Sequence, residues 1–253
     1  MIKISVVIIT FNEERNIGRC ISSVKEIADE IIVVDSFSTD KTEEVCKLHD
    51  VKFVKNAFKG HIEQKNYAMD LANFEYVLSL DADEALSAEL SYSIKEIKKN
   101  FIADGYRFNR LTNYCGHWVR HCGWYPDTKL RLVKKEKAKW KGVNPHDILK
   151  LDNDGLGSFL NGNLLHYSYD SISDHINQTN KFTTIAANEC YNRGVRSNIF
   201  KIVTRPFFKF LRDYIYKLGF LDGRYGFIIC FINSLSALLK YSKIHELQNG
   251  KKI

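Results

Sequence analysis

Residues 4–24 read Ile-Ser-Val-Val-Ile-Ile-Thr-Phe-Asn-Glu-Glu-Arg-Asn-Ile-Gly-Arg-Cys-Ile-Ser-Ser-Val. Residues 2–9 are an almost unbroken apolar run, the pattern of a strand buried on both faces. Ile17, Cys20, Ile21 and Val24 then fall at i, i+3, i+4 and i+7, one stripe of a helix. Strand followed by helix recurs outward from this block. Residues 31–34 form a second apolar run ending at Asp35, and the Ser/Thr/Asp stretch 36–40 can cap a helix over about residues 41–48. Residues 51–54 read as a third strand and 63–71 as a third helix. Residues 76–80 read as a fourth strand ending at Asp81-Ala82-Asp83, and a fourth helix runs from Ser87 to about residue 100. Repeated βα units predict an α/β fold, a mostly parallel sheet with helices on both faces, whose ligands bind beyond the carboxyl ends of the strands.

The residues at those strand ends narrow the ligand. The turn after the first strand, residues 10–16, contains no glycine, so both the dinucleotide fingerprint and the P-loop are absent. Polar side chains stand there instead: Thr10 and Asn12, then Asp35, then Asp81 and Asp83. A single acid at a strand end can hold a ribose hydroxyl or a base N–H, or can simply cap a helix. Two acids one residue apart can hold a hard divalent cation, which neutralises a pyrophosphate. Together they suit a nucleotide-sugar better than NAD or ATP.

The blocks Val-Val-Ile-Ile-Thr-Phe-Asn-Glu-Glu, Ile-Val-Val-Asp-Ser-Phe-Ser-Thr-Asp, Gln-Lys-Asn-Tyr-Ala and Leu-Ser-Leu-Asp-Ala-Asp-Glu, in this order over residues 4–84, resemble glycosyltransferase family 2. The resemblance implies a GT-A fold, an inverting mechanism, a UDP-sugar donor and a divalent metal, Mn²⁺ or Mg²⁺. It places Thr10, Asn12 and Glu13 at the nucleoside pocket, Asp35 at the uracil, and Lys65 and Asn66 near the donor. Asp83 becomes the metal ligand, with Asp81 beside the ribose or the metal and His166 as a weaker third ligand. Gly-Trp-Tyr-Pro-Asp at 123–127, Leu-Arg-Leu at 130–132 and His-Tyr-Ser-Tyr at 166–169 resemble a narrower group, the lipopolysaccharide inner-core β-glucosyltransferases. Glucose is the sugar this implies. Arg131 then helps hold the diphosphate.

Residues 105–111 and 129–133 read as further strands, and Trp124, Tyr125 and Asp127 between them are candidates for the acceptor side. Flat aromatic faces suit sugar rings, and they equally suit a core. An inverting displacement needs a carboxylate base facing the donor. The candidate is Asp147, in Trp-Lys-Gly-Val-Asn-Pro-His-Asp (140–147), where the resembling group usually has glutamate. Cys115, His117, His121 and Cys122 do not follow a standard zinc spacing and read as local packing.

The chain has 253 residues, 45% of them hydrophobic and 26% charged, which excludes a mainly disordered protein. Six cysteines without CxxC spacing read as reduced thiols, and the first residues carry no secretory pattern. The net charge of +7 is uneven: from Arg193 onward there are 12 Lys/Arg against 3 Asp/Glu, whereas the preceding residues carry 25 against 27. Residues 199–221 interleave bulky apolar and basic residues as an interfacial amphipathic helix does. The apolar run at 227–239, with 13 residues, falls short of a membrane span. The expected organisation is a GT-A catalytic domain over 1–192, with a nucleotide-sugar half at 1–100 and an acceptor half at 101–192. A basic, membrane-associating helical extension follows over 193–253. The expected partners are a UDP-sugar, a lipid-linked oligosaccharide and an anionic membrane, with the enzyme peripheral on the cytoplasmic face of the inner membrane. Transfer to a polyprenyl phosphate is the closest alternative. A basic nucleic-acid-binding protein is the alternative from another class, but it leaves the strand-end acids without a role, and no nucleic-acid partner is expected.

Overall fold

The computed structural model describes every residue except 144, 145 and 153. The chain forms two compact units, one of residues 1–110 and 127–167, the other of residues 111–126 and 168–253. The expected division after residue 192 falls between two helices of the second unit.

The first unit opens with β1 (Ile4–Thr10), α1 (Ile17–Val24), β2 (Glu30–Asp35), α2 (Thr42–Lys47), β3 (Lys52–Lys55), α3 (His61–Asp70) and β4 (Tyr76–Asp81). Then come β5 (Glu84–Leu86), α4 (Ala88–Ile97), β6 (Gly105–Tyr114), β7 (His117–Val119), β8 (Asp127–Lys134), β9 (Ala138–Val143), β10 (His146–Leu151) and β11 (Ser158–Tyr169). β6 and β11 each end in the second unit, and β7 lies wholly within it. The sheet order is β3-β2-β1-β4-β8-β6-β11-β5, and β9 and β10 form a separate antiparallel pair. Pairing is parallel from β3 through β2 and β1 to β4. β8 then runs antiparallel to both β4 and β6. The sheet is therefore mixed, with its parallel part in the four strands read from the apolar runs.

Side-chain alternation explains why β1 is apolar except at its end, Thr10, and at Ser5, whose hydroxyl donates to Glu30 at 2.7 Å and accepts the Phe74 N–H at 3.1 Å. Ile4, Val6 and Ile8 pack with Ile17, Cys20, Ile21 and Val24 of α1 and with Leu90 and Ile94 of α4. Val7 points to the other face, among Ala68 and Met69 of α3 and Trp140, Leu149 and Leu151 of the β9–β10 pair. With both faces covered, a polar position in the strand is costly unless it is hydrogen-bonded. α4 starts at its cap, Ser87, whose Oγ accepts from Leu90 N–H at 3.2 Å, and ahead of α2 Asp40 accepts a hydrogen bond from Thr42 N–H at 3.0 Å.

The second unit contains α5 (Ile172–Asn192), α6 (Ile199–Leu211), a π turn over Arg212–Tyr216, a 3₁₀ turn over Gly219–Asp222 and α7 (Gly223–Gln248). Its core gathers Tyr114, Val119, Cys122, Ile229 and Cys230. Two expectations are corrected here. Residues 199–221 are not one helix. α6 stops at Leu211, and Leu218 adopts a left-handed backbone at φ +54°. The chain packs too closely there for side chains: a Cβ on Gly226 would lie 1.8 Å from the Gly219 carbonyl oxygen. Nor does the last apolar segment end near residue 239. α7 has 26 residues and continues through Lys240 and Lys243. The helical stretch Gly219–Gln248 is long and apolar enough to cross a membrane, by length and composition alone. α5 and α6 pack along α7, and Lys243 Nζ donates to Asn180 O at 2.8 Å and to Thr184 Oγ1 at 2.8 Å.

Candidate active site

The polar strand ends of the first unit fall into two groups. In the first, Asp35, Asn12 and Glu13 are held by the loops that follow β1 and β2. Asp35 is fully buried, and its carboxylate accepts from the backbone N–H of Ser38 at 2.9 Å and from the Ser38 hydroxyl. Asn12, at φ +54°, accepts from Thr39 N–H at 2.8 Å, and its own N–H donates to Ser38 Oγ at 2.8 Å. The Glu13 N–H donates to Thr42 Oγ1 at 2.9 Å, and its carboxylate accepts from Asn16 Nδ2 at 2.8 Å. Thr10 Oγ1 is buried without a hydrogen-bond partner among the described residues.

The second group is a charged cluster at the end of β4. Lys65 reaches from α3 with only 4% exposure. Its Nζ lies 2.9 Å from Asp81 Oδ1 and 2.7 Å from Asp147 Oδ2, over the Trp140 ring at 4.3 Å. Arg131, in β8, is 3% exposed. Its Nη2 lies 3.2 Å from Asp81 and 2.8 Å from Glu84. Glu84 is itself buried, and its Oε2 accepts the Asp81 backbone N–H at 3.0 Å. Burial opposes ionisation of Asp81, but the charges of Lys65 and Arg131 outweigh it and hold the carboxyl well below its ordinary range. For Arg131, desolvation works against the cation, yet Glu84 and Asp81 more than offset it and raise its pKa. Asp81 and Arg131 thus remain charged at physiological pH.

Beside it, Asp83 Oδ2 lies 3.1 Å from His166 Nε2, while His166 Nδ1 is buried without a partner among the described residues. Asn66 works elsewhere: its amide donates to the Trp140 carbonyl and accepts the Trp140 N–H, both at 3.0 Å, clasping β9 to α3. The acceptor candidates are divided between the units. Trp124 joins the rings of Tyr114, Tyr169 and His175 in the second unit, and Arg120 lies over Tyr125 there at 5.9 Å. Asp127 belongs to the first unit and is 2.9 Å from both Arg110 and Lys129.

A cavity of about 760 Å³ opens in the first unit, with Lys65, Asp81, Arg131, Trp140 and Asp147 among its lining. None of Thr10, Asn12 or Asp35 lines it. Four residues singled out from the sequence, Lys65, Asp81, Arg131 and Asp147, therefore meet at one wall although they are far apart in the chain. Glu84, which anchors Arg131, escaped notice. Its one signal was a carboxylate directly preceding the apolar Ala85-Leu86 pair, a position where a charge needs a partner.

The sequence model of glycosyl transferase family 2 matches residues 5–146, more than half of the chain. The chain belongs to glycosyl transferase family 2. A glycosyltransferase of Rickettsia typhi is 33% identical over 98% of this chain and 88% of its own length. The lipopolysaccharide core biosynthesis glycosyltransferase LpsC of Rhizobium meliloti is 27% identical over 96% of this chain and 92% of its own. Among solved structures, S. aureus TarS 1–349 in complex with UDP aligns over 98% of this chain and 92% of its own, at a TM-score of 0.42 and 14% identity. The mixed sheet of this family 2 glycosyltransferase, flanked by helices, has the GT-A architecture, and its charged cluster and cavity lie within or directly beside the matched residues.

Proposed function

We propose that the enzyme is an inverting glycosyltransferase that moves a hexose, glucose, from a UDP-sugar to a lipid-linked glycan of the lipopolysaccharide or lipooligosaccharide inner core. The observation that carries this reading is the Asp147 carboxylate at the cavity wall. Lys65 fixes its Oδ2, and among the described residues its Oδ1 has no hydrogen-bond partner. That oxygen is free to take the proton of an acceptor hydroxyl as the hydroxyl oxygen bonds to the anomeric carbon. The bond from that carbon to the UDP oxygen breaks, and UDP leaves with the electron pair. Arg131 and Lys65 supply fixed positive charge on the side of the departing diphosphate. Thr10, Asn12, Glu13 and Asp35 shape the nucleoside end through their loop, and Asn66 supports the donor side by holding Trp140. The name of the Rhizobium relative supports the acceptor class.

Asp83 and His166 fit a divalent cation. Their facing atoms are 3.1 Å apart, roughly the separation of two adjacent ligands in an octahedral shell with bonds of about 2.1 Å. The carboxylate oxygen suits Mn²⁺ or Mg²⁺, and the imidazole nitrogen, a ligand of transition ions, favours Mn²⁺ of the two. Asp81 contributes less directly, because Lys65 and Arg131 occupy its oxygens. Among the described residues no group of three His, Cys, Asp or Glu is arranged to hold a metal, so the diphosphate and water would complete the shell. Bound there, a cation neutralises a diphosphate.

The second unit suits peripheral attachment to the cytoplasmic face of the inner membrane. Phe200, Phe207 and Phe208 of α6 and Phe231 of α7 are exposed, and the basic excess after residue 192 suits anionic lipid. The test is a screen of UDP-sugars for UDP release with purified inner-core acceptor and Mn²⁺ or Mg²⁺. UDP-glucose should support transfer, and chelation or Asp83→Asn should abolish it. Full activity after exhaustive chelation would overturn the metal assignment, and no turnover of any UDP-sugar would overturn the donor.

A further inference from the structure

The cavity beside Asp147 carries more positive charge than the proposed base and donor groups use. Four of its cations already face carboxylates. Lys65 is held by Asp81 and Asp147, Arg131 by Asp81 and Glu84, and Arg110 and Lys129 by Asp127. Arg107 and Lys150 line the same cavity without a carboxylate partner among the described residues. Arg107 Nε is buried and has no hydrogen-bond acceptor among the described residues. A buried N–H in that state is rare unless a ligand or water completes it. Strand alternation places it there: Tyr106 and Phe108 point into the core, so Arg107 between them faces the opposite side, and the extra residue of the irregular β6–β8 ladder is Arg131, skipped between Leu132 and Leu130.

We infer that Arg107 and Lys150 bind an anionic group carried by the acceptor sugar, a phosphate or a carboxylate, and thereby point a hydroxyl of that sugar at Asp147. This rests on the reading of Asp147 as the base. A guanidinium pairs with either anion through two parallel hydrogen bonds, which fixes orientation as well as adding affinity. The volume of about 760 Å³ accommodates a charged monosaccharide or disaccharide. The uridine end is not the occupant, because Thr10, Asn12 and Asp35 do not line this space.

The test is calorimetric titration of the full chain with four probes: mannose 6-phosphate, glucuronate, methyl glucoside and UDP. At least one charged sugar should bind about tenfold or more tightly than methyl glucoside, and which one does so distinguishes phosphate from carboxylate. Arg107→Gln should remove that preference at an unchanged melting temperature. Lys150→Gln, at an exposed position, should weaken the charged sugar severalfold and provides the check if Arg107→Gln fails to fold. Equal binding of charged and neutral sugars, or a preference that survives both substitutions, would overturn the subsite. Absence of UDP binding would count against the transferase reading alone, since the sugar titrations decide the anion preference independently.

Discussion

The loop that follows β1 and β2 and the cluster that follows β4 use the same residue types in opposite ways. At the first, Asp35 gives its acceptor to Ser38 three residues along the same connection, and Asn12, in the β1–α1 turn, gives its acceptor to Thr39 of the adjoining β2–α2 loop. At the second, Asp81, Asp147, Glu84, Lys65 and Arg131 come from α3, β4, β5, β8 and β10 and satisfy one another across the fold. Local partners make a carboxylate part of the scaffold. Distant, oppositely charged partners at a cavity wall leave it oriented, charged and able to meet a substrate.

Three substitutions sharpen that contrast. Glu84→Gln should have the largest effect on stability. It removes the buried negative charge opposite Arg131, and breaking a buried pair costs about 3 kcal/mol or more. Urea unfolding would show the loss, and a change under about 1 kcal/mol would mean that Asp81 alone suffices for Arg131. Asp35→Ala should cost less, about 1–3 kcal/mol, because the Ser38 N–H and hydroxyl lose one buried acceptor. The same unfolding measurement checks it, and a neutral result would remove Asp35 from the scaffold. The smallest effect concerns His175 in the second unit. Its Nδ1 faces the Tyr114 hydroxyl at 3.1 Å, and burial lowers its pKa to about 4. The unfolded chain takes up a proton near the ordinary value of about 6.5, which the folded chain refuses until about 4. Stability should therefore fall as pH drops through that window, and His175→Gln should flatten the fall. Melting temperatures at pH 7 and pH 5 for both proteins decide it.

The first hundred residues were legible because burial on two faces leaves a one-dimensional trace. The apolar runs of β1, β2 and β4 and the stripe of α1 each matched the structure to within about two residues. The elements that escaped lack that trace. β5 has three residues and begins with the buried Glu84. β9 and β10 alternate lysines with Trp140, Leu149 and Leu151, a pattern easily taken for a charged loop. α5 carries its start signal in the Ser171–Asp174 capping box, amid a mostly polar helix. In the site, sequence could nominate Asp81, Lys65, Arg131 and Asp147, because strand ends and motif spacing mark them. It could not show that Lys65 links two of them, that Asn66 is spent on Trp140, or that Arg107 Nε is buried without an acceptor among the described residues. Those are facts of tertiary contact, set by strands that meet only after folding.

The most direct test of the central assignment is Asp147→Asn, which keeps the shape of the side chain but cannot take a proton. Single-turnover transfer at saturating UDP-sugar and acceptor should slow by about 10²–10⁴-fold, while UDP affinity stays near that of the unmodified enzyme. A single-turnover rate within tenfold of that enzyme would contradict the role of Asp147 as the base.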